Sequence, residues 1–149
     1  MQRVVSPSQR GRSNQRKGSY HERKIAKKLS QLTGLRFERN LEQRRFADHK
    51  GDLICSDAEW PFVLEVKYRL KGNGIPSGAW DQARRTAAKT GQWPSCIFQN
   101  GRAAPRCRVP LAAIGEAQRG AALIRDGVAD LNLSDFATLS LRLLALSRA

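Results

Sequence analysis

The sequence of 149 residues lacks long apolar segments and contains few cysteines and histidines. No apolar run approaches the length of a membrane-spanning helix, and the first residues lack the apolar core of a signal peptide. We therefore expect a cytoplasmic protein that does not enter a membrane. The odd number and wide spacing of Cys55, Cys96 and Cys107 argue against a disulfide framework or a zinc knuckle, so each is expected to be a buried thiol. His21 and His49 are too far apart in sequence to indicate a metal site.

Acidic side chains are also scarce, because 13 Asp and Glu stand against 27 Lys and Arg, for a net charge of +14. The excess is concentrated in residues 1–50, which carry 14 basic and 4 acidic side chains. Such a charge on a small chain predicts a polyanionic partner, most often nucleic acid and less often a membrane surface. The hydrophobic content of 40% is ordinary for a globular protein, and the length suits one domain.

Composition and periodicity divide the chain into three parts. Residues 1–18 are polar and basic, which predicts a disordered arm. Residues 19–110 are expected to form the core of the domain. Residues 111–149 are expected to form a C-terminal extension that ends in an amphipathic helix. The apolar side of that helix is predicted to consist of Phe136, Leu139, Leu143 and Leu146.

The expected order of elements in the core is helix, strand, strand, strand, helix, strand. The first helix is predicted to begin at a capping box formed by Ser19 and Glu22 and to end before Gly34. The elements that follow are expected to be strands at residues 35–40, 52–56 and 62–69, a helix at 79–89, and strands at 96–99 and 106–109. This order predicts a single α/β domain with a mixed central sheet flanked by helices.

Capping and turn residues predict further details of the later part of the chain. Ser77 is the expected N-cap of the helix at 79–89, and Ser134 is the expected N-cap of the final helix. Residues 116–125 can form a helix, but the Asp126-Gly127 pair also favours a hairpin that continues into residues 128–133. The sequence leaves both alternatives open.

Two carboxylates and a lysine are expected to converge on one face of the sheet. Glu65 and Lys67 share a face because side chains alternate along a strand. A four-residue turn at 57–60 or 58–61 places Asp52 opposite Glu65 or Lys67, respectively. Two such carboxylates repel each other unless a cation lies between them, and Mg²⁺ prefers oxygen ligands, with Mn²⁺ expected to substitute. A metal held there can activate a water for attack on a phosphate, with the lysine orienting that water or stabilising negative charge.

Other interpretations of these residues stay open. Lys67 can instead neutralise Asp52 and Glu65 in a structural cluster of charges. The protein can accordingly be a basic nucleic-acid-binding module without catalytic activity, since phosphate contacts need only Lys and Arg. A nuclease of the same fold acting on another DNA or on RNA is a further alternative, because fold does not fix the substrate.

Gly51-Asp52 together with Glu65-Val66-Lys67 resembles the active-site motif of the PD-(D/E)xK nuclease superfamily, with Gly51 where the superfamily's name has proline. Glu22 resembles the acidic helix residue of archaeal-type Holliday junction resolvases. Two further stretches resemble small phage-encoded resolvase-like endonucleases, namely Arg39-Asn40-Leu41-Glu42-Gln43 and Trp80-Asp81-Gln82-Ala83. The likeness extends over about residues 18–110.

The resemblance implies a restriction-endonuclease-like fold and a Mg²⁺-dependent endonuclease that cuts DNA, with branched or four-way junctions as substrates in recombination. It also implies a homodimer in the cytoplasm of a bacterium or a phage-infected host. Asp52 and Glu65 would be metal ligands with the Val66 carbonyl, Glu22 would complete the site or merely cap its helix, and Lys67 would position the water. Contacts to nucleic acid would come from Arg39, Asn40, Gln43, Arg44, Arg45, Arg69 and Gln82, the last of which can alternatively orient Lys67.

Overall fold

The computed structural model describes residues 7–41, 51–118 and 127–149. These ranges contain four helices and six strands. The helices are α1 (Pro7–Thr33), α2 (Ala79–Thr90), α3 (Leu111–Ala117) and α4 (Leu133–Ser147). The strands are β1 (Phe37–Arg39), β2 (Leu53–Cys55), β3 (Glu65–Arg69), β4 (Cys96–Asn100), β5 (Arg106–Pro110) and β6 (Val128–Asn132).

The strands form two sheets, a pair β1-β2 and a four-stranded sheet in the order β3-β4-β5-β6. Strands β3 and β4 run parallel, whereas the other neighbours run antiparallel. The parallel pair requires a crossover, and α2 supplies it. The predicted α/β class with a mixed sheet is therefore confirmed, as is a single restriction-endonuclease-like domain. The predicted order from the first helix to β4 is also confirmed.

Strands β1, β2 and β3 are shorter than predicted. The hairpin expected between β2 and β3 forms only isolated bridges. Leu64 bridges both Gly51 and Leu53, while β2 forms its regular ladder with β1. The strand predicted at 62–69 begins at Glu65, because the preceding residues pair with two different neighbours. The Leu64 carbonyl accepts from β2, whereas the Val63 N–H donates to the Trp93 carbonyl.

The apolar side of β3 and of the residues before it belongs to one core with α1 and α4. The predicted alternation is confirmed, since Leu64 and Val66 belong to the main core. Phe136 of α4 is fully buried and meets the Phe62 ring at a centroid distance of 5.0 Å. Ile25 of α1 joins the same core. Burial of each such side chain stabilises the fold by roughly 1.5–3 kcal/mol, which fixes β3 and leaves its other face to hold charged groups.

The start of α1 differs from the prediction. The helix begins at Pro7, so the expected disordered arm is wrong for residues 7–18, and residues 1–6 lie outside the described ranges. Proline suits the first turn because its missing N–H would have no partner there, and its φ is already helical. Ser19 and Glu22 consequently lie inside the helix and form no capping box at its start. Gly34 ends α1 as predicted, with a φ of 73° and its N–H donating to Ser30.

Two predicted caps are also wrong. The side chain of Asn132, and not Ser134, accepts from the Asp135 N–H at 2.7 Å and caps α4. Gly78, and not Ser77, occupies the N-cap of α2, without a side-chain hydrogen bond. Asn132 is also the last residue of β6, so α4 starts directly where that strand ends and its cap falls two residues before Ser134. The rest of each helix follows the prediction.

The two alternatives for the C-terminal extension are answered in part. The strand expected after Asp126-Gly127 is present as β6 and pairs with β5. The helix α3 was not predicted and ends at Ala117. Residues 119–126 lie outside the described ranges, and both the helix expected at 116–125 and the first strand of the expected hairpin fall mostly on them. No helix in the described ranges has both the length and the apolar character that a bilayer span requires.

The cysteines largely follow the prediction. Cys96 and Cys107 are fully buried, and Cys55 is half-buried. Burial raises the pKa of Cys96 to about 12 and that of Cys107 well above its ordinary value. The two buried thiols therefore stay protonated and act as small packing groups.

Candidate active site

The backbone at Gly51 turns the chain so that Asp52 faces β3. Gly51 has a φ of 90°, and a Cβ added there would lie 2.9 Å from the Leu64 carbonyl oxygen. Proline, whose ring fixes φ near −65°, cannot adopt this conformation, which explains why glycine precedes the aspartate. The Asp52 N–H donates to the same Leu64 oxygen at 2.7 Å. The close approach of the two backbones therefore depends on a residue without a side chain.

Asn40 holds the other side of this turn. Its buried amide Nδ2 donates to the Gly51 carbonyl at 3.0 Å, and its backbone N–H donates to the Asp52 carbonyl at 2.8 Å. The end of β1 thus fixes both peptide groups next to the aspartate. The sequence predicts a nucleic-acid contact for Asn40, whereas its observed partners belong to the protein.

Asp52 and Glu65 lie side by side at the edge of β3. The antiparallel bridge between Leu53 and Leu64 sets Asp52 opposite Glu65, which is the first of the two registers predicted from turn length. Asp52 accepts from the Val66 N–H through Oδ2 at 2.8 Å. Both carboxyl groups are buried, and Glu65 is only 1% exposed.

Glu65 is incompletely satisfied by hydrogen bonds. Its Oε1 accepts from the Thr86 hydroxyl of α2 at 3.4 Å, and its Oε2 is buried with no hydrogen-bond partner in the described ranges. Burial and, next, the charge of Asp52 raise the pKa of Glu65 to about 7, while Lys67 and the Thr86 hydroxyl act in the opposite direction. A buried acid with so little compensation is typical of a position that serves a function.

Lys67 approaches the pair without neutralising it fully. Its Nζ lies 3.8 Å from Glu65 Oε2, which is within ion-pair range but too long for a hydrogen bond. The Lys67 side chain is 29% exposed, so its ammonium reaches both the buried acid and the solvent. The predicted sharing of one strand face by Glu65 and Lys67 is confirmed by this contact.

The Val66 carbonyl lies on the same edge of β3 as Asp52. In a strand, the N–H and C=O of one residue point to the same side, and the Val66 N–H reaches Asp52. The Glu65 N–H points the other way and donates to Ser95 next to β4. Asp52, Glu65 and the Val66 carbonyl therefore supply oxygen donors at one edge, and this donor set fits a hard divalent cation such as Mg²⁺.

Glu22 is not gathered with these groups. Its Oε2 accepts from Arg39 Nε at 2.5 Å. Within residues 7–41, 51–118 and 127–149, no three His, Cys, Asp or Glu side chains come close enough together to hold a metal ion. The structure thus brings Asp52 and Glu65 together and places Glu22 in an ion pair.

That ion pair lies in a groove between α1 and the end of β1, which we call the α1–β1 groove. Its volume is about 660 Å³. Basic side chains line it from both elements, and they are Arg12, Arg16, Arg23 and Arg39. The three helical arginines share one face because they are spaced at four and seven residues. Sequence reasoning places Arg12 and Arg16 in a basic arm and not on a helix face, because this spacing is informative only once the helix is known to begin before Ser19.

The other predicted nucleic-acid contacts fall in different surroundings. The Arg69 guanidinium donates to Asn100 Oδ1 at 2.7 Å and to the carbonyls of Asn73 and Gly74, so it fastens a loop. Gln82 is exposed on α2, one turn before Thr86. Gln43, Arg44 and Arg45 lie outside the described residues. The sequence analysis did not identify Thr86 as a residue of the site. Its position four residues after Gln82, on the same side of the helix, is the sequence feature that could have indicated it.

The protein family described as "Phage putative PDDEXK endonuclease" matches residues 13–128, a range that includes Glu22, Asp52, Glu65 and Lys67. No curated protein and no solved structure matches the chain significantly.

Proposed function

Since the chain belongs to the phage PDDEXK endonuclease family and is a nuclease acting on nucleic acid, we propose that it hydrolyses DNA at Asp52 and Glu65 with the help of Mg²⁺. The observation that carries this proposal is the buried pair of carboxylates with one Glu65 oxygen left without a hydrogen-bond partner in the described ranges. Such a pair is destabilising by itself, and a divalent cation offsets the repulsion.

The metal would be held by Asp52, Glu65 and the Val66 carbonyl, with Mn²⁺ as a substitute for Mg²⁺. When bound, the cation polarises a phosphate oxygen and lowers the pKa of a water molecule. The Val66 N–H orients Asp52 through its hydrogen bond to Oδ2. Thr86 orients Glu65 through Oε1, which leaves Oε2 toward Lys67 and the metal position.

Lys67 would act on the reacting groups directly. Its partly exposed ammonium can hold a water molecule beside the carboxylates and stabilise negative charge that develops on the phosphate. Asn40 would act only through the protein, because its amide fixes the Gly51 carbonyl. Glu22 would assist from the α1–β1 groove, and we expect its removal to cost less activity than removal of Asp52.

The α1–β1 groove would bind the phosphate backbone that leads to the site. Its arginines line a cleft whose wall also contains Asn40, one hydrogen bond away from Gly51. Phosphate contacts of this kind are independent of sequence and weaken as salt concentration rises. By the resemblance to junction resolvases we propose branched or four-way DNA as the substrate and a homodimer as the active form, which light scattering of the purified protein tests.

The experiment compares the wild type and Asp52→Asn on linear, flap, fork and four-way DNA in Mg²⁺, Mn²⁺ or EDTA. We expect cleavage only with metal, and a loss of about 10³-fold or more in Asp52→Asn, because a ligand to the cation is removed. Asp81→Asn on the surface of α2 is the matched control and should cut normally. Binding in EDTA should persist in all three proteins. Equal cleavage by Asp52→Asn, or cleavage in EDTA, would contradict the proposal and favour a binding module.

A further inference from the structure

Three rings from α1 and β3 meet on the side of β3 that faces α1. His21 stacks on Tyr68 with ring centroids 3.5 Å apart and planes at 12°. Tyr20 contacts His21 edge-on at 5.3 Å and 85°, and Tyr20 is 60% exposed. The sequence does not show this cluster, because its members come from distant segments that only the packing of α1 on the sheet brings together.

A cavity of about 600 Å³ adjoins two of these rings, those of His21 and Tyr68, and we call it the aromatic cavity. It is lined by Lys17, His21, Val66, Tyr68 and the exposed Leu70, and Gly18 leaves α1 without a side chain there. Small-molecule sites typically measure about 300–1,000 Å³, so a planar group such as a nucleobase fits this volume. The lining thus combines two aromatic rings with a lysine.

The aromatic cavity borders the carboxylate site. Val66 lines the cavity, and its N–H donates to Asp52. Val66 therefore takes part in both sites, with its N–H at the carboxylate edge of β3. Lys17 adds a positive charge to the lining of the cavity.

The two rings of the lining form one stacked pair, with His21 lying flat on Tyr68. The His21 Nδ1 is buried and has no hydrogen-bond partner in the described ranges. Arg69 lines the cavity with its stem, since its guanidinium is bound to the loop and to Asn100.

We propose that the aromatic cavity binds an unpaired nucleobase of the DNA substrate next to the bond that is cut. The inference rests on the proposed nuclease function, and it adds a structural reason for a preference for branched DNA. A base inside a duplex is already stacked on its neighbours, whereas an unpaired base gains stacking on an aromatic ring, independently of its identity. DNA with a flap or an open junction arm should therefore bind better than continuous duplex.

The test uses 2-aminopurine, a fluorescent base whose emission is quenched by stacking, placed at the unpaired position next to the branch of a flap DNA. The paired control is a continuous duplex with the same base. Binding is measured in EDTA, so that no cleavage occurs. The wild type should quench the flap probe and bind flap DNA at least about fivefold more tightly than duplex, in keeping with the strength of base–aromatic stacking.

Two variants remove rings and two serve as controls. Tyr68→Leu and His21→Ala should each weaken flap binding about five- to tenfold and restore the fluorescence, with duplex binding unchanged. Tyr68→Phe keeps the ring and should behave as the wild type. Leu32→Ala removes an exposed apolar side chain of α1 outside the cavity and should have no effect. If Tyr68→Leu does not fold, His21→Ala decides the matter, because alanine preserves the helix that carries it.

The inference is overturned if the wild type does not quench the flap probe, or if both ring variants weaken flap and duplex binding equally. The latter would show that the rings only hold α1 on β3. Failure of the proposed nuclease function gives a different result, because the flap probe would still be quenched by a protein that does not cut DNA in Mg²⁺. Conversely, cutting without any dependence on His21 or Tyr68 would leave the nuclease proposal intact.

Discussion

Glu65 and Asp130 lie at opposite ends of one row of paired residues that crosses the four-stranded sheet, and the surroundings of these two acids differ. The row runs from Glu65 through Cys96 and Arg108 to Asp130, so all four side chains lie on the same face. Asp130 receives two hydrogen bonds from Arg108, at 2.8 and 3.0 Å. Glu65 faces Lys67 at 3.8 Å and lies beside the charge of Asp52.

The comparison shows that this sheet provides a carboxylate with well-placed hydrogen-bond donors where the acid contributes only to stability. Asp130 pairs with the planar guanidinium of Arg108, a geometry that suits a carboxylate well. Glu65 is almost fully buried and keeps one oxygen without a hydrogen-bond partner in the described ranges. Burial of an acid in this state costs free energy, so its retention indicates a function that needs the oxygen. The comparison can be tested by altering the two ends of the row separately.

The largest effect is expected from Glu65→Gln. The amide keeps the shape of the side chain but cannot act as an anionic ligand, so cleavage in Mg²⁺ should fall about 10³-fold or more. Stability in EDTA should stay the same or rise, because the repulsion between Asp52 and Glu65 is removed. Single-turnover cleavage and thermal unfolding measure the two effects. A variant that unfolds earlier and still cuts at the normal rate would assign Glu65 a structural role.

The next effect concerns Lys67, whose alternative role is to neutralise the two acids. Lys67→Met keeps most of the length of the stem and removes the charge, and we expect a loss of about 100-fold in single-turnover cleavage. Affinity for Mg²⁺ should not fall, because removing a positive charge next to two carboxylates favours cation binding. Arg108→Met, which removes the partner of Asp130, is the control and should cleave DNA at a near-normal rate. The structural alternative predicts instead a large loss of stability in EDTA with little change in rate.

The pH dependence of stability should also separate the two ends of the row. The pKa of Glu65 is raised from its ordinary value of 4.5 to about 7, so between these values the folded chain holds a proton that the unfolded chain has released. The free energy of unfolding in EDTA should therefore fall as pH rises through this window, by up to about 3 kcal/mol, and level off above pH 7. Glu65→Gln should abolish this contribution, and Asp130→Asn should retain it. Urea unfolding at several pH values gives the comparison, and parallel curves for the wild type and Glu65→Gln would refute it.

The sequence predicts the convergence of Asp52, Glu65 and Lys67 because a strand has a strict two-residue period and turn length fixes the register. Thr86 and Tyr68 could not be assigned their roles in this way. Thr86 reaches Glu65 only because α2 crosses the sheet at that point, and Tyr68 meets His21 only because α1 lies on the other face. The crossing position of a helix depends on side-chain packing and not on periodicity.

The start of α1 shows a second limit of prediction from the sequence. Gly11 and Gly18 lower helix propensity, and the polar composition around them is also typical of disordered segments. The prediction therefore placed the helix start at Ser19, and the basic face with Arg12 and Arg16 was lost with it. Composition reflects the average tendency of a segment, whereas the observed helix extends toward its N-terminus from a packed part that begins at Ile25.

The smallest effect is expected from Asp130→Asn, which breaks the satisfied pair at the far end of the row. Arg108 and Asp130 are 23% and 30% exposed, so the pair is partly screened by solvent, and its two hydrogen bonds should contribute about 1 kcal/mol. The loss of stability should shrink at high salt, whereas cleavage should remain close to the wild-type rate. Asp81→Asn is the matched control, because its contact with Arg84 is longer, at 3.9 Å, and more exposed, so its removal should be nearly neutral. If Asp130→Asn instead stopped cleavage while the protein stayed folded, the row would have to be regarded as one extended site, and the division between a structural end and a functional end would be wrong.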